Sequence, residues 1–138
     1  MMVVLMDAGP LISLFDKTDP HFQRYNDMLL KSSVPLRLHS TWPCVVEASH
    51  MLPPTSRMQM LKWVAIGGVQ IFPFDATSLV DMTTWMMQYT QSPRTEMDFA
   101  DASLYWAAIE TGVTTILTLD VRDFSRYRLP DGRGFEVI

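Results

Sequence analysis

A run of five apolar residues that ends in an acid is the feature that most constrains this chain. Residues 2–6 read MVVLM, and Asp7 follows them directly, just before the turn pair Gly9-Pro10. An unbroken apolar run that stops at a turn is typical of a buried strand, most simply the central strand of a parallel sheet. Asp7 would then lie at the carboxyl end of that strand, where open α/β sheets place their binding sites. A carboxylate there is costly without a partner, so the chain must supply one.

Length and composition favour one globular domain. The chain has 138 residues, of which 48% are hydrophobic, and this is enough for a single domain with a substantial core. The apolar runs are too short to span a membrane, and no signal-peptide pattern precedes them. Because Cys44 is the single cysteine, an internal disulfide is impossible. We therefore expect one domain over 1–138 in a cytoplasmic protein without membrane association.

Turn signals and apolar periodicity divide the chain into alternating strands and helices. The pattern predicts strands at 2–6, 36–39, 69–72, 114–119 and 134–138. It predicts helices at 11–15, 20–31, 44–52, 56–66, 76–89 and 96–111, with an arginine-rich loop at 122–133. This alternation indicates an α/β fold in which a mostly parallel sheet carries helices on both faces.

Five of the fifteen acids have no simple explanation as turn, cap or surface residues. Asp7 and Asp120 each end an apolar strand, and Glu47 has apolar neighbours on a helix with little polar surface. Asp98 and Asp101 are three residues apart on a predicted helix and so share a face. The alternative for this pair is first-turn charge that faces the positive end of the helix dipole. For each of the other three, a cap or an ion pair is the alternative.

Carboxylates gathered at one sheet end with few basic partners need cations. Oxygen ligands without a His/Cys set suit Mg²⁺ or Mn²⁺ and not zinc. Such a site serves phosphoryl chemistry, in which the metal activates a water. No glycine-rich phosphate loop is present, which argues against a nucleotide-binding kinase or dehydrogenase. The net charge of −4 argues against a nucleic-acid binder held by bulk charge, but not against an enzyme whose metals supply positive charge.

Basic residues concentrate near the C-terminus, at Arg122, Arg126, Arg128 and Arg133. They form either a solvated face or a rim that contacts phosphates. On the second interpretation, Arg122, Arg126 and Arg128 are candidates for contact with the phosphates of a nucleic acid.

Four segments of the chain, in order, resemble the four sequence blocks of a PIN domain. The similarity is greatest to VapC-type ribonuclease toxins of VapBC toxin–antitoxin pairs, and it spans almost the whole chain. The segments are Asp7-Ala-Gly-Pro-Leu, the apolar helix that carries Glu47, Met97-Asp-Phe-Ala-Asp101-Ala-Ser-Leu, and Thr118-Leu-Asp120-Val-Arg-Asp-Phe124.

The resemblance implies a fold and a site. The fold is a PIN-like three-layer α/β sandwich with a sheet of about five mostly parallel strands. Asp7, Glu47, Asp101 and Asp120 match the four acids of the family, which are catalytic and ligate Mg²⁺ or Mn²⁺. Asp98 matches an additional acid one helical turn before the third. No other cofactor is implied.

The resemblance also implies an activity and partners. It predicts a metal-dependent endoribonuclease that cleaves RNA phosphodiester bonds with a metal-activated water, as the toxin of a toxin–antitoxin pair. The expected partners are the RNA substrate, a small antitoxin protein whose tail enters the acidic groove, and a second copy of the chain in a homodimer. Trp63, Trp85, Met86 and Met87 could form an interface, with packing in the core as the alternative.

One departure from the family pattern lies beside the first acid. The family commonly has Thr or Ser where this chain has Ala8. A hydroxyl near the metal site is therefore missing or comes from elsewhere, with Ser13, Ser103 and Thr118 as candidates.

Two other functions remain open at this point. Ala8 and the negative net charge are compatible with a catalytically weak or inactive PIN-fold module that binds a protein partner or RNA without turnover. An acid-cluster phosphatase is less well supported. Its haloacid-dehalogenase-like pattern would require a second Asp two residues after Asp7, where Gly9 stands.

Overall fold

A single parallel sheet organises the protein. The computed structural model describes residues 1–93 and 95–138. Neighbouring strands all pair in parallel, in the spatial order β3-β2-β1-β4-β5. The strands are β1 (Met2–Met6), β2 (Leu36–Ser40), β3 (Gln70–Ile71), β4 (Thr115–Leu117) and β5 (Glu136–Val137). The predicted α/β fold with about five parallel strands is confirmed.

Helices connect the strands and cover the sheet. A short 3₁₀ turn, Ala76–Ser78, precedes α5. The helices are α1 (Ala8–Leu14), α2 (Phe22–Lys31), α3 (Trp42–Met51), α4 (Pro54–Ala65), α5 (Leu79–Tyr89), α6 (Phe99–Thr111) and α7 (Val121–Arg126). Parallel crossovers are right-handed, so connections that run in opposite directions from β1 place helices on opposite faces. The three-layer arrangement follows from this.

The opening apolar run is the central strand. Val4, Leu5 and Met6 are completely buried, because β2 and β4 flank β1 in the sheet and helices cover its faces. Cys44 is also buried in the core as a free thiol. The prediction of a strand buried on both faces is therefore confirmed.

The strand order creates a crevice beside β1. The chain first adds β2 and β3 on one side of β1, then crosses over and adds β4 and β5 on the other side. Ligands of open α/β sheets bind at the carboxyl ends of the strands at such a switch point. Asp7 directly follows β1, and its backbone N–H donates to the carbonyl of Leu117, the last residue of β4, at 3.0 Å.

Several predicted boundaries differ from those of the structure, and polar side chains explain two of the differences. Helix α2 begins at Phe22 and not at residue 20, because the Asp19 carboxylate accepts from the backbone N–H of His21 (2.8 Å) and stabilises a turn. Helix α6 begins at Phe99 and not at 96, because Asp98 is its N-cap. The predicted loop at 122–133 contains α7, and β4 ends before residue 119.

The predicted apolar interface is mostly core. Trp63, Trp85 and Met86 are half-buried and pack against the core, whereas Met87 is exposed. The packing alternative therefore holds for three of these four residues. In the part of the chain that the structure describes, no helix is both long enough and apolar enough to cross a membrane.

Candidate metal centre

The five acids predicted to form the site line one pocket at the switch point. This cavity of about 190 Å³ is bounded by Asp7, Glu47, Asp98, Asp101 and Asp120, together with Ala8, Gly9 and Leu119. Its walls come from the end of β1, the middle of α3, the start of α6 and the start of α7. The structure thus brings together residues that are far apart in the sequence; their roles as ligands remain a prediction.

Asp7 is held by hydrogen bonds on both carboxylate oxygens. As the N-cap of α1, its Oδ1 accepts from the backbone N–H of Ala8 at 2.8 Å. Its Oδ2 accepts from the hydroxyl of Thr118 at 2.8 Å. Burial raises the pKa of Asp7, and the bonds from Thr118 and Ala8 counteract this only in part. The carboxylate is therefore fixed in orientation but unfavourable as an unpaired charge.

Thr118 supplies the hydroxyl that Ala8 lacks. Its Oγ1 donates to Asp7 and also accepts from the backbone N–H of Asp120 at 3.0 Å. The other two candidates have different partners, since the hydroxyl of Ser13 lies within hydrogen-bond distance of the Asp19 carboxylate and of the Gly9 carbonyl. Ser103 donates to the Ala100 carbonyl and shares a hydrogen bond with Thr41.

Asp101 is the most strongly perturbed acid of the pocket. It lies in the first turn of α6 and is only 6% exposed. Burial, followed by the charges of Asp98 and Asp7, raises its pKa to about 9. The hydroxyl of Tyr127 donates to its Oδ2 at 2.7 Å and lowers the pKa to a lesser extent. In the absence of a cation, this site therefore favours the protonated form of Asp101.

Asp120 and Asp123 lie at the N-cap and in the first turn of helix α7, and the sequence pattern did not indicate the second of them as a site residue. Asp120 is the N-cap and accepts from the Asp123 backbone N–H at 3.2 Å. Burial, and then the Asp123 carboxyl, raise the pKa of Asp120 to about 6. Carboxylate oxygens of Asp101, Asp120 and Asp123 lie within 4.8 Å of one another. The spacing of three residues after Asp120 was the available signal, but it fell in a predicted loop.

Glu47 and Asp98 lie at the exposed rim. Partial burial raises the pKa of Glu47, with further contributions from Asp98 and Asp7. Asp98 has a structural role as well, because its Oδ1 accepts from the backbone N–H of Asp101 at 2.8 Å. The alternative of charge at the start of the helix therefore applies to Asp98, which also borders the pocket.

The donor set fits a hard divalent cation. Within the described residues, none of the five predicted acids forms an ion pair with Lys, Arg or His. All side-chain ligands would be carboxylate oxygens, which Mg²⁺ and Mn²⁺ prefer. The nearby Cys44 does not change this, because burial keeps the pKa of its thiol well above its usual range. A cation would supply the missing positive charge.

The candidate RNA-binding arginines differ in their surroundings. Arg126 pairs with Asp123 at 3.1 Å and donates to the carbonyl of Tyr89. Arg128 donates to the carbonyl of Tyr127. Arg122 is exposed and forms no hydrogen bond or ion pair with the residues that the structure describes. Of the three, Arg122 has the side chain most available to a phosphate.

An apolar groove adjoins the acidic pocket. It has a volume of about 700 Å³, and Glu47 and Asp98 are walls of both cavities. Large side chains along it remain exposed, including Trp42 (51%) and Phe99 (43%). Because such apolar surface next to a polar pocket is typical of binding sites, the groove is a candidate docking surface.

Two solved structures share this fold. VapC20 of Mycobacterium tuberculosis, a sarcin-ricin loop cleaving toxin, matches with a TM-score of 0.69 at 12% identity, over 82% of this chain and 86% of that chain. A chain from the structure of VapBC2 from Rickettsia felis, bound to a DNA fragment from their promoter, matches with a TM-score of 0.62 at 14% identity, over 99% of this chain and 98% of that chain. No protein-family model and no curated protein sequence matches. The predicted resemblance to VapC-type PIN domains is confirmed at the level of the fold.

Proposed function

We propose that this chain is a Mg²⁺- or Mn²⁺-dependent endoribonuclease that hydrolyses RNA phosphodiester bonds. The observation that carries the proposal is the pocket of five carboxylates at the switch point, none of which pairs with a basic side chain in the described residues. Asp7 and Asp101 are buried there, and a buried carboxylate without a positively charged partner is unfavourable, so the pocket is adapted to bind cations. The fold shared with VapC20 supports RNA as the substrate class.

In this proposal, each acid has a role that follows from its position. Asp7, Asp101 and Asp120 hold the cation from inside the pocket, and Glu47 completes the ligand set from the rim. Asp98 adds negative charge and fixes the start of α6. A divalent cation bound there would lower the pKa of an attacking water and offset charge on the phosphate oxygens. Thr118 keeps the carboxylate of Asp7 in place through a hydrogen bond.

Substitution of Asp7 tests the proposed activity. We expect Asp7→Asn to abolish RNA cleavage in Mg²⁺ or Mn²⁺, because the amide keeps the shape but loses the charge. Asp27→Asn is the matched control, since Asp27 pairs with Lys31 on the surface of α2. Equal cleavage by Asp7→Asn and the wild type, or cleavage that survives chelation with EDTA, would contradict the assignment.

We also propose that this ribonuclease is a toxin controlled by an antitoxin protein. The apolar groove opens next to the acidic pocket, so one segment with apolar side chains followed by a basic side chain complements both. The fold shared with a VapBC2 chain supports this partner class. The test is co-expression with the product of a short adjacent reading frame. Trp42→Ala should weaken that complex without altering metal binding, and an unchanged complex would argue against the groove.

A homodimer in the cytoplasm completes this proposal. Sedimentation analysis of the purified protein tests the oligomeric state, and a mass equal to one chain at all concentrations would reject the homodimer. Residues 1–138 act as one domain in this scheme.

The second candidate function is a PIN-fold module that binds a partner without turnover, and the apolar groove favours it. The missing hydroxyl at Ala8 does not favour this second function, because Thr118 provides a hydroxyl at the site. A calorimetric titration separates the two functions. Partner binding without any binding of Mg²⁺ or Mn²⁺ at millimolar concentration would favour the module.

A further inference from the structure

A buried tyrosine contacts the most perturbed acid of the pocket. The hydroxyl of Tyr127 is 2.7 Å from Oδ2 of Asp101 and 3.3 Å from the carbonyl oxygen of Glu96. A phenol has one proton to donate, and the shorter distance assigns it to the carboxylate. With Oδ2 engaged by Tyr127, Oδ1 is the oxygen of Asp101 that remains for another ligand.

The ring of Tyr127 is held on several sides. It makes edge contacts with Tyr89 and Phe124, each with ring centroids 5.1 Å apart. The guanidinium of Arg126 lies over its face at 5.3 Å from the ring centre. Tyr127 is completely buried. Such packing leaves the phenol little freedom, so its hydrogen bond has a fixed direction.

Helix α7 connects this tyrosine to a second acid of the pocket. Asp120 is the N-cap of the helix, and Tyr127 is its C-cap. Helix α7 therefore carries Asp120 at its start and, at its end, the phenol that contacts Asp101. A displacement of α7 would disturb Asp120 and Asp101 together.

We propose that Tyr127 is a positioning residue of the metal centre: it binds Oδ2 of Asp101 and thereby directs Oδ1 to the cation. This inference deepens the proposed function and rests on it. Outer partners that orient metal ligands contribute about 10–100-fold to metal affinity or activity. Tyr127 touches neither the cation nor the substrate in this scheme, and it acts through Asp101.

The test compares two tyrosine-to-phenylalanine variants for Mn²⁺ affinity by calorimetry. Tyr127→Phe removes only the phenol oxygen, and we expect Mn²⁺ binding to weaken by about 10-fold or more. Tyr105→Phe is the matched control, because Tyr105 belongs to the same aromatic cluster but donates to the carbonyl of Arg128. It should retain wild-type affinity. Unchanged affinity in Tyr127→Phe would overturn the inference.

RNA cleavage at increasing Mn²⁺ separates positioning from a purely structural role. In Tyr127→Phe, the Mn²⁺ concentration for half-maximal cleavage should rise, and saturating Mn²⁺ should restore most of kcat. A lower kcat with an unchanged Mn²⁺ requirement would indicate a structural role and overturn the inference. Wild-type protein that binds no Mn²⁺ would reject the proposed function together with this inference, whereas an unaffected variant rejects the inference alone.

A measurement on the wild-type protein covers the case in which Tyr127→Phe does not fold. With ¹³C-labelled tyrosine, the ring-carbon signal of Tyr127 should shift saturably as Mg²⁺ is added, because the bonded carboxylate gains a cation. The signal of Tyr105 should stay in place. A Tyr127 signal that ignores saturating Mg²⁺ would overturn the inference.

Discussion

The hydroxyl of Thr118 donates to Oδ2 of Asp7 at 2.8 Å and joins the ends of the two adjacent strands β1 and β4. The same oxygen of Thr118 accepts from the backbone N–H of Asp120 at 3.0 Å. One buried hydroxyl therefore fixes the side chain of one pocket acid and the backbone of another.

Replacement of Thr118 by valine should impair both the site and the fold. Valine has a similar shape but no hydroxyl, so Asp7 loses a donor inside the protein. We expect the free energy of unfolding to fall by about 1–3 kcal/mol and RNA cleavage by about 10–100-fold. Denaturant titration and a cleavage assay measure the two effects. Thr118→Ser keeps the hydroxyl and should behave as the wild type; equal loss in both variants would contradict this role.

The stability of the metal-free protein should fall as the pH rises. The pKa of Asp101 is about 9 in the folded protein, above its ordinary value of 3.8. The folded state therefore binds the proton more tightly than the unfolded state does. The resulting contribution to the free energy of unfolding is complete at low pH and is lost as the pH rises to about 9. Asp101→Asn removes this titrating group. At about pH 8, its free energy of unfolding should exceed that of the wild type by about 1 kcal/mol or more.

Denaturant titrations in EDTA across this pH range measure that effect. Asp27→Asn is the control, because Asp27 is a surface acid whose pKa is lowered by Lys31 and Gln23. Its stability should follow the wild-type slope at neutral pH. If Asp101→Asn also keeps the wild-type slope, Asp101 is not the group responsible.

Addition of Mn²⁺ should stabilise the folded protein. A ligand at about 100 times its Kd adds about 2.7 kcal/mol to the free energy of unfolding, which corresponds to a rise in Tm of about 5–10 °C for a domain of this size. Asp120→Asn should lose most of this rise, because Asp120 lies beside Asp101 and Asp123. Asp131→Asn removes an exposed acid paired with Arg133 and should show the full rise in Tm. Equal rises in both variants would exclude Asp120 as a ligand.

Arg122 should contribute to RNA binding through phosphate contact. Its exposed side chain lies two residues after Asp120, at the start of α7. Arg122→Ala should lower the slope of log K against log salt by about 0.7 for single-stranded RNA. RNA binding is measured at several salt concentrations, with Arg122→Ala introduced into a catalytically inactive variant so that the RNA is not cleaved. Arg133→Ala, which removes an arginine already paired with Asp131, is the control; a slope unchanged by Arg122→Ala would reject the contact.

Elements with a strong local pattern were predictable. The run 2–6 forms β1, and α6 ends at Gly112, which has the left-handed conformation (φ 75°) expected of a glycine cap. Helix α7 was not predictable in this way. It has six residues, too few for a clear period, and the packing of Phe124 against Tyr127 and Phe135 supports it. This packing depends on Phe135, which lies outside the helix, so the sequence of α7 alone does not indicate it.

The sequence by itself determined the central strand, the acids at the strand ends, an all-oxygen ligand set and the resemblance to PIN domains, because each depends on local pattern and residue type. Only the tertiary structure decided which hydroxyl binds Asp7, that Asp123 lies beside Asp101, and that Tyr127 bonds the same acid. These are contacts between distant segments. They follow from the strand order and the placement of α7, and no spacing along the chain specifies them.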